Sequence, residues 1–161
     1  MIRKLLLTAI VAAAFAPAMG AAQVVPSDKD IQDIAEATLR DMFSKSGDMT
    51  RCITLPGPAG GPAQADPSPA FLARFRDLKA PVRTPAGCQG KLPDGMGIAD
   101  TQTGVMAMAF KIEQPVCTSP TECDVAAEYY TGPMSAARWT YHLRRTDGKW
   151  TVIGEDMQWI S

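Results

Sequence analysis

The stretch CDVAAEYYTGPMSAARWTYHLRRTDGKWTVIGEDMQWIS, residues 123–161, decides the fold. Val125, Ala127 and Tyr129 alternate with Ala126, Glu128 and Tyr130 until Gly132-Pro133 breaks the run. Trp139, Tyr141 and Leu143 then alternate with Arg138, Thr140, His142 and Arg144. A two-residue period puts successive side chains on opposite faces, so each run predicts a half-buried antiparallel strand. Asp147-Gly148 supplies the positive φ angles of a type I′ turn, which leads into a third strand at residues 150–160. Near Gly154 that strand changes phase, with Val152 before it and Met157 and Trp159 beyond, and this predicts a bulge that bends the sheet.

Working back along the chain, Met106, Met108, Phe110 and Ile112 alternate with Ala107, Ala109, Lys111 and Glu113 and predict a fourth strand. Residues 82–103 are broken by Pro85, Gly87, Gly90, Pro93, Gly95 and Gly97 and admit only short extended pieces. Ser68-Pro69 opens a short helix carrying Phe71, Leu72, Phe75 and Leu78 on one side, stopped by Pro81. Before it, a Pro/Gly-rich loop spans residues 56–69. Ser27 caps a first helix whose Ile31, Ile34, Ala35, Thr38, Leu39, Met42 and Phe43 recur at helical spacing until Gly47 ends it. One apolar stripe implies one partner surface. The expected class is therefore α+β: an N-terminal helix packed on a curved, mainly antiparallel sheet of about four strands, with a short second helix.

Arg3 and Lys4 precede the uncharged apolar run of residues 5–15 and a small-residue stretch at 16–22, the pattern of an export leader over residues 1–22. A membrane-spanning helix needs roughly 20 consecutive apolar residues, and this run stops sooner, at Pro17. The expectation is a released domain over residues 23–161, in the periplasm or outside the cell, with no integral membrane segment after cleavage. Such a compartment oxidises thiols, so Cys52, Cys88, Cys117 and Cys123 read as disulfides. Cys117 and Cys123 flank a short polar loop between two strands, which pairs them and leaves Cys52 and Cys88 to staple the irregular middle. Neither the Cys spacings nor the lone His142 suit a zinc site, so no metal and no cofactor is expected.

Removing Arg3 and Lys4 from the 16 basic residues, against 17 acidic ones, leaves a formal charge of about −3. A nucleic-acid binder needs a basic face to neutralise phosphates, and only Arg138, Arg144, Arg145 and Lys149 cluster, which excludes that class. A serine nucleophile would need a His partner, and His142 lies on the polar face of its strand. One enzymatic constellation is left, a carboxylate base with a Tyr donor, drawn from Asp124, Glu128, Glu155 and Asp156 with Tyr129, Tyr130 or Tyr141. Within it Glu128, Asp156 and Tyr130 are the chosen candidates. Met is unusual in a strand, and a Met-rich stripe can line an adaptable ligand pocket. Met106, Met108, Phe110, Trp139 and Tyr141 are accordingly the candidates for contact with a small apolar ligand or a protein partner.

The segments Tyr129-Tyr130-Thr131-Gly132-Pro133, Trp139-Thr140-Tyr141-His142-Leu143, Asp147-Gly148-Lys149-Trp150 and Trp159-Ile160-Ser161 resemble the C-terminal sheet of small exported proteins of the nuclear-transport-factor-two-like superfamily, the cystatin-like α+β roll. The N-terminal helix agrees with such a roll, whereas the Pro/Gly insertion and the turn-rich middle depart from it. The resemblance implies a conical pocket between a curved sheet and its helices. It also implies two kinds of role, since isomerase-like and dehydratase-like members place an acid or base and a hydrogen-bond donor in that pocket while many others only bind. The expectation is an exported binding or interaction module without chemistry of its own, with an isomerase-like or hydratase-like enzyme as the alternative.

Overall fold

The computed structural model describes residues 24–58 and 61–161. The expected export leader lies outside the described residues. Helix α1, Asp28–Ser44, starts at Ser27, whose hydroxyl oxygen accepts from the Asp30 N–H. Its other end is closed from a distance. The buried guanidinium of Arg51 donates to the carbonyls of Phe43 and Gly47 and stacks 4.9 Å from the Phe43 ring, so the last turn gains a positive charge where the helix dipole favours one.

Strand β1, Thr50–Pro56, follows, and β2, Gln64–Ala65, folds back on it, pairing Leu55 with Ala65 and Pro56 with Gln64. This places a strand inside the segment expected to be loop. At Gly57 a Cβ would fall 1.7 Å from the Pro62 carbonyl oxygen, so only glycine permits that return. Helix α2, Pro69–Leu72, is capped by Ser68 and runs into a 3₁₀ turn at Ala73–Phe75. Arg74 reaches Asp33 at 2.8 Å and Glu36 at 3.0 Å, and Arg40 reaches Asp77 at 3.0 Å, which ties this segment to α1.

Strands β3, Val82–Arg83, β4, Gly90–Lys91, and β5, Ile98–Ala99, are two residues each. The long elements come next: β6, Ala107–Ile112, β7, Val116–Ser119, β8, Glu122–Gly132, β9, Ser135–Thr146, and β10, Lys149–Ile160. They order as β10-β9-β8-β6-β1-β2, with β3 added to β1 and β7 to β8, while β4 and β5 form a separate pair. Among the described residues β10 has a strand on one side only. Its ladder to β9 slips twice, between Val152 and Gly154 and between Met157 and Trp159.

The expected sheet of about four mainly antiparallel strands is thereby corrected. The sheet is eight-stranded and mixed, because β1 runs parallel to both β6 and β3. The physical reason lies in β1. Arg51, Ile53 and Leu55 point toward α1 while Thr50 and Cys52 are buried on the other side, and a strand covered on both faces shows no alternation.

Two cores result. On the inner face Ile34, Leu39 and Phe43 of α1 meet Ile53, Phe110, Ile112, Val125 and Leu143, with Phe43 edge-on to Phe110 at 5.0 Å. Each such buried side chain contributes about 1.5–3 kcal/mol, which fixes α1 across the sheet. On the other side of β1 a smaller cluster of Cys52, Cys88 and Ala107 is stapled by the Cys52–Cys88 disulfide. Beside it Asp100 is wholly buried, accepting from Thr50 Oγ1 and the Gln102 N–H at 2.8 Å each, with Arg83 Nε 3.4 Å away. Cys117 and Cys123 bridge β7 to β8. Two disulfides mark a chain that folds in an oxidising, exported location. Among the described residues no helix is long and apolar enough to cross a membrane.

Candidate functional site

The parity of each long strand decides which side chains meet α1. Met108 and Phe110 of β6, Tyr129 of β8, and Trp139 and Tyr141 of β9 all take the inner face. Beyond the end of the aliphatic core these five diverge from the last turn of α1. The gap between them is a cleft of about 270 Å³, closed above by Met42, Lys45 and Ser46 and at one side by Glu155. Tyr129 and Trp139 stack with ring centroids 5.6 Å apart and form one wall. Tyr141, almost fully buried, forms the floor.

Glu155 reaches the cleft only because of the first bulge in β10. Trp150 and Val152 belong to the inner face, and an unbroken alternation would send Gly154 and Asp156 there too. The slip at Ile153 instead sets Gly154 opposite His142, Glu155 opposite Tyr141 and Asp156 opposite Thr140. Glu155 therefore turns inward and Asp156 outward. The Glu155 carboxylate pairs with Lys45 Nζ at 2.5 Å, and the same ammonium reaches Asp41 at 2.7 Å while lying 5.8 Å from the Tyr141 ring centroid. Burial above all, followed by the charges of Glu155 and Asp41, pushes the Tyr141 phenol well above its ordinary range, so it stays a neutral hydroxyl. The Lys45 ammonium is held above its usual range, since its hydrogen bonds to Asp41 and Glu155 together outweigh the cost of burial, the largest single effect.

Four of the five ligand candidates, Met108, Phe110, Trp139 and Tyr141, line this cleft. Met106 does not; it precedes β6, bridges to Ala99 and is exposed. The three acid–base candidates sit together on the opposite face of the sheet. Glu128 is tied to Arg138 at 3.3 Å and Lys111 at 3.2 Å, and Tyr130 is exposed. Asp156 is largely exposed and contacts His142 Nε2 at 3.0 Å, while Asp124 takes the other ring nitrogen at 2.7 Å. With Arg138 also bidentate to Glu113 at 2.8 Å, this outer face is a lattice of paired charges. Its sign-alternating pairing leaves the carboxylates neutralised and wet, a poor setting for proton abstraction.

Met42 is legible in the sequence as part of the apolar stripe of α1, but neither it nor Lys45 and Ser46 is legible there as a cleft residue. The signal for Lys45 is its position four residues after Asp41 and three after Met42, which puts an ammonium at the end of the apolar stripe. Among the described residues no three His, Cys, Asp or Glu side chains gather where they could hold a metal ion. Compared with protein-family models, with curated proteins and with solved structures, the chain matches none of them.

Proposed function

We propose that this chain is an exported, periplasmic binding module that receives a small, largely apolar ligand in the cleft between the end of α1 and the inner face of the sheet. The observation that carries the reading is the lining itself. Aromatic and Met side chains from α1, β6, β8 and β9 converge on one concavity whose charged lining groups among the described residues, Lys45 and Glu155, form an ion pair. Apolar walls with few, placed polar groups are what small-molecule sites are made of. Kinship with the nuclear-transport-factor-two-like superfamily is part of this proposal. It is supported by a helix laid over the inner face with a pocket beneath its end, and opposed by the parallel pairing of β1 with β6.

A second reading, an isomerase-like or hydratase-like enzyme, has one observation in its favour, the placing of Glu155 beside the neutral Tyr141 hydroxyl. Against it, the Glu155 side chain is 34% exposed and ion-paired to Lys45, whereas a carboxylate base is made strong by desolvation without a cationic partner. The binding reading is tested by heteronuclear NMR during a titration with benzyl alcohol. Saturable shifts confined to Met42, Met108, Trp139 and their neighbours are expected. Shifts scattered over the outer sheet face, or none at all, would end it.

A further inference from the structure

We infer that the cleft selects an organic cation, whose ammonium group sits between Asp41, Glu155 and the ring of Tyr141 in the place that Lys45 Nζ now fills. This rests on the cleft being the binding site proposed above. The seat is visible because the chain occupies it with its own ammonium, 2.5 Å from Glu155, 2.7 Å from Asp41 and 5.8 Å from the aromatic centroid. Lys45 is the residue that closes the end of α1, and its side chain is 51% exposed. A half-exposed lysine loses little when it turns out into water, because ion pairs in that setting contribute little net stability. The seat can therefore be vacated without disturbing the core.

Charge decides the sign of the visitor. Two carboxylates face one ammonium while Lys45 is in place, and nothing balances them once it leaves. An anion entering the cleft would be repelled by both carboxylates, whereas a cation restores the pairing. Arg51 does not reverse this count at the cleft, since its guanidinium is committed to the Phe43 and Gly47 carbonyls and to Ser46 Oγ at 3.3 Å. The upward push of Glu155 and Asp41 on the Tyr141 phenol reports the same negative field at the floor. The walls complete the match. Phe110, Tyr129, Trp139 and Tyr141 offer π faces that attract a desolvated alkylammonium, and the polarisable Met42 and Met108 fill between them.

The test uses calorimetric titration of the full chain with three probes of one shape: benzyltrimethylammonium, neutral benzyl alcohol and anionic benzoate. The cation should bind about tenfold more tightly than benzyl alcohol, and benzoate should bind worst. Glu155→Gln should remove most of the cation's advantage over benzyl alcohol. Lys45→Ala, which takes away the internal competitor, should tighten the cation severalfold. If benzyl alcohol shifts the cleft resonances but the cation is no better bound, or benzoate is preferred, the cation inference fails while the binding reading stands. If none of the three binds and the cleft resonances stay still, both fail. A Lys45→Ala chain with unchanged or weakened cation affinity overturns the displacement.

Discussion

In β8, β9 and β10 every strand pairs with its neighbour in sequence, joined by a turn after Gly132 and by Asp147-Gly148, whereas β1 draws its partners β6 and β3 from far along the chain. The first region is a hairpin ladder whose closure costs little entropy. The second must bring distant segments together before β6 or β3 can pair with β1, and it is there that the long-range cross-link Cys52–Cys88 and the buried Asp100 cluster are found. One continuous sheet is thus secured by two different means: local register on one side, a long-range cross-link and a buried carboxylate on the other.

The largest effect is expected from removing the long staple. Replacing Cys52 and Cys88 by Ala together should lower stability by about 4 kcal/mol, since the bridge closes a loop with a sequence separation of 36. Amide exchange should accelerate at Thr50–Thr54 and Val82–Arg83 well before it does in β9; uniform acceleration would mean that the two regions unfold as one unit. Asp100→Ala should cost about 3 kcal/mol in urea unfolding, because it strands the buried Thr50 hydroxyl and leaves Arg83 without its carboxylate. The N–H of Gln102 first, then the Thr50 hydroxyl and Arg83, hold the Asp100 carboxyl below its usual range despite its burial. Its contribution is thus present above the unfolded value of about 3.9 and is lost as pH falls through the lower folded value, so unfolding midpoints should drop below about pH 4 in the parent, and by less in Asp100→Ala, where Asp30, Asp33 and Glu113 still supply the rest of the drop.

The matching cut in the hairpin region should do less. Replacing Cys117 and Cys123 by Ala removes a bridge with a separation of only 6 and should cost about 2 kcal/mol. A loss equal to that of the long staple would mean that both regions depend on their cross-links alike. The smallest effect concerns His142, whose imidazole is raised above its usual range by Asp124 first and Asp156 second. Its stabilisation is complete below the unfolded value of about 6.5 and is lost as pH rises through the higher folded value. Because its partners are exposed, the change should stay under about 1 kcal/mol, and His142→Gln should flatten it in denaturation curves taken at pH 6 and pH 9.

The same contrast governs what the sequence revealed. Alternation in residues 123–146 shows because each strand there has one wet face, and Asp147 and Gly148 adopt the positive φ angles of 51° and 76° that their turn type demands. Strand β1 stayed hidden, since both its faces are covered, and with it went the strand count and the parallel pairing. The cleft lining was partly legible through the apolar parity of Met108, Phe110, Trp139 and Tyr141. Choosing Asp156 over Glu155 failed for a single geometric reason. A phase change near Gly154 was readable, yet its consequence is an inversion of facing that lasts from Gly154 to Met157, until the second slip restores the parity, and it exchanges the two adjacent acids. Lys45 was out of reach because its partner Glu155 is joined to it only by tertiary folding.

The interruptions in β10 do more than turn one acid inward. An outermost ribbon twelve residues long, carrying exposed Ile153, Met157 and Ile160, would offer a template onto which another copy could zip, and then another. Two slips divide the flank that carries no strand among the described residues into short runs that no straight neighbour can follow in step. Shape thus works against polymerisation at a rim where greasy side chains stand.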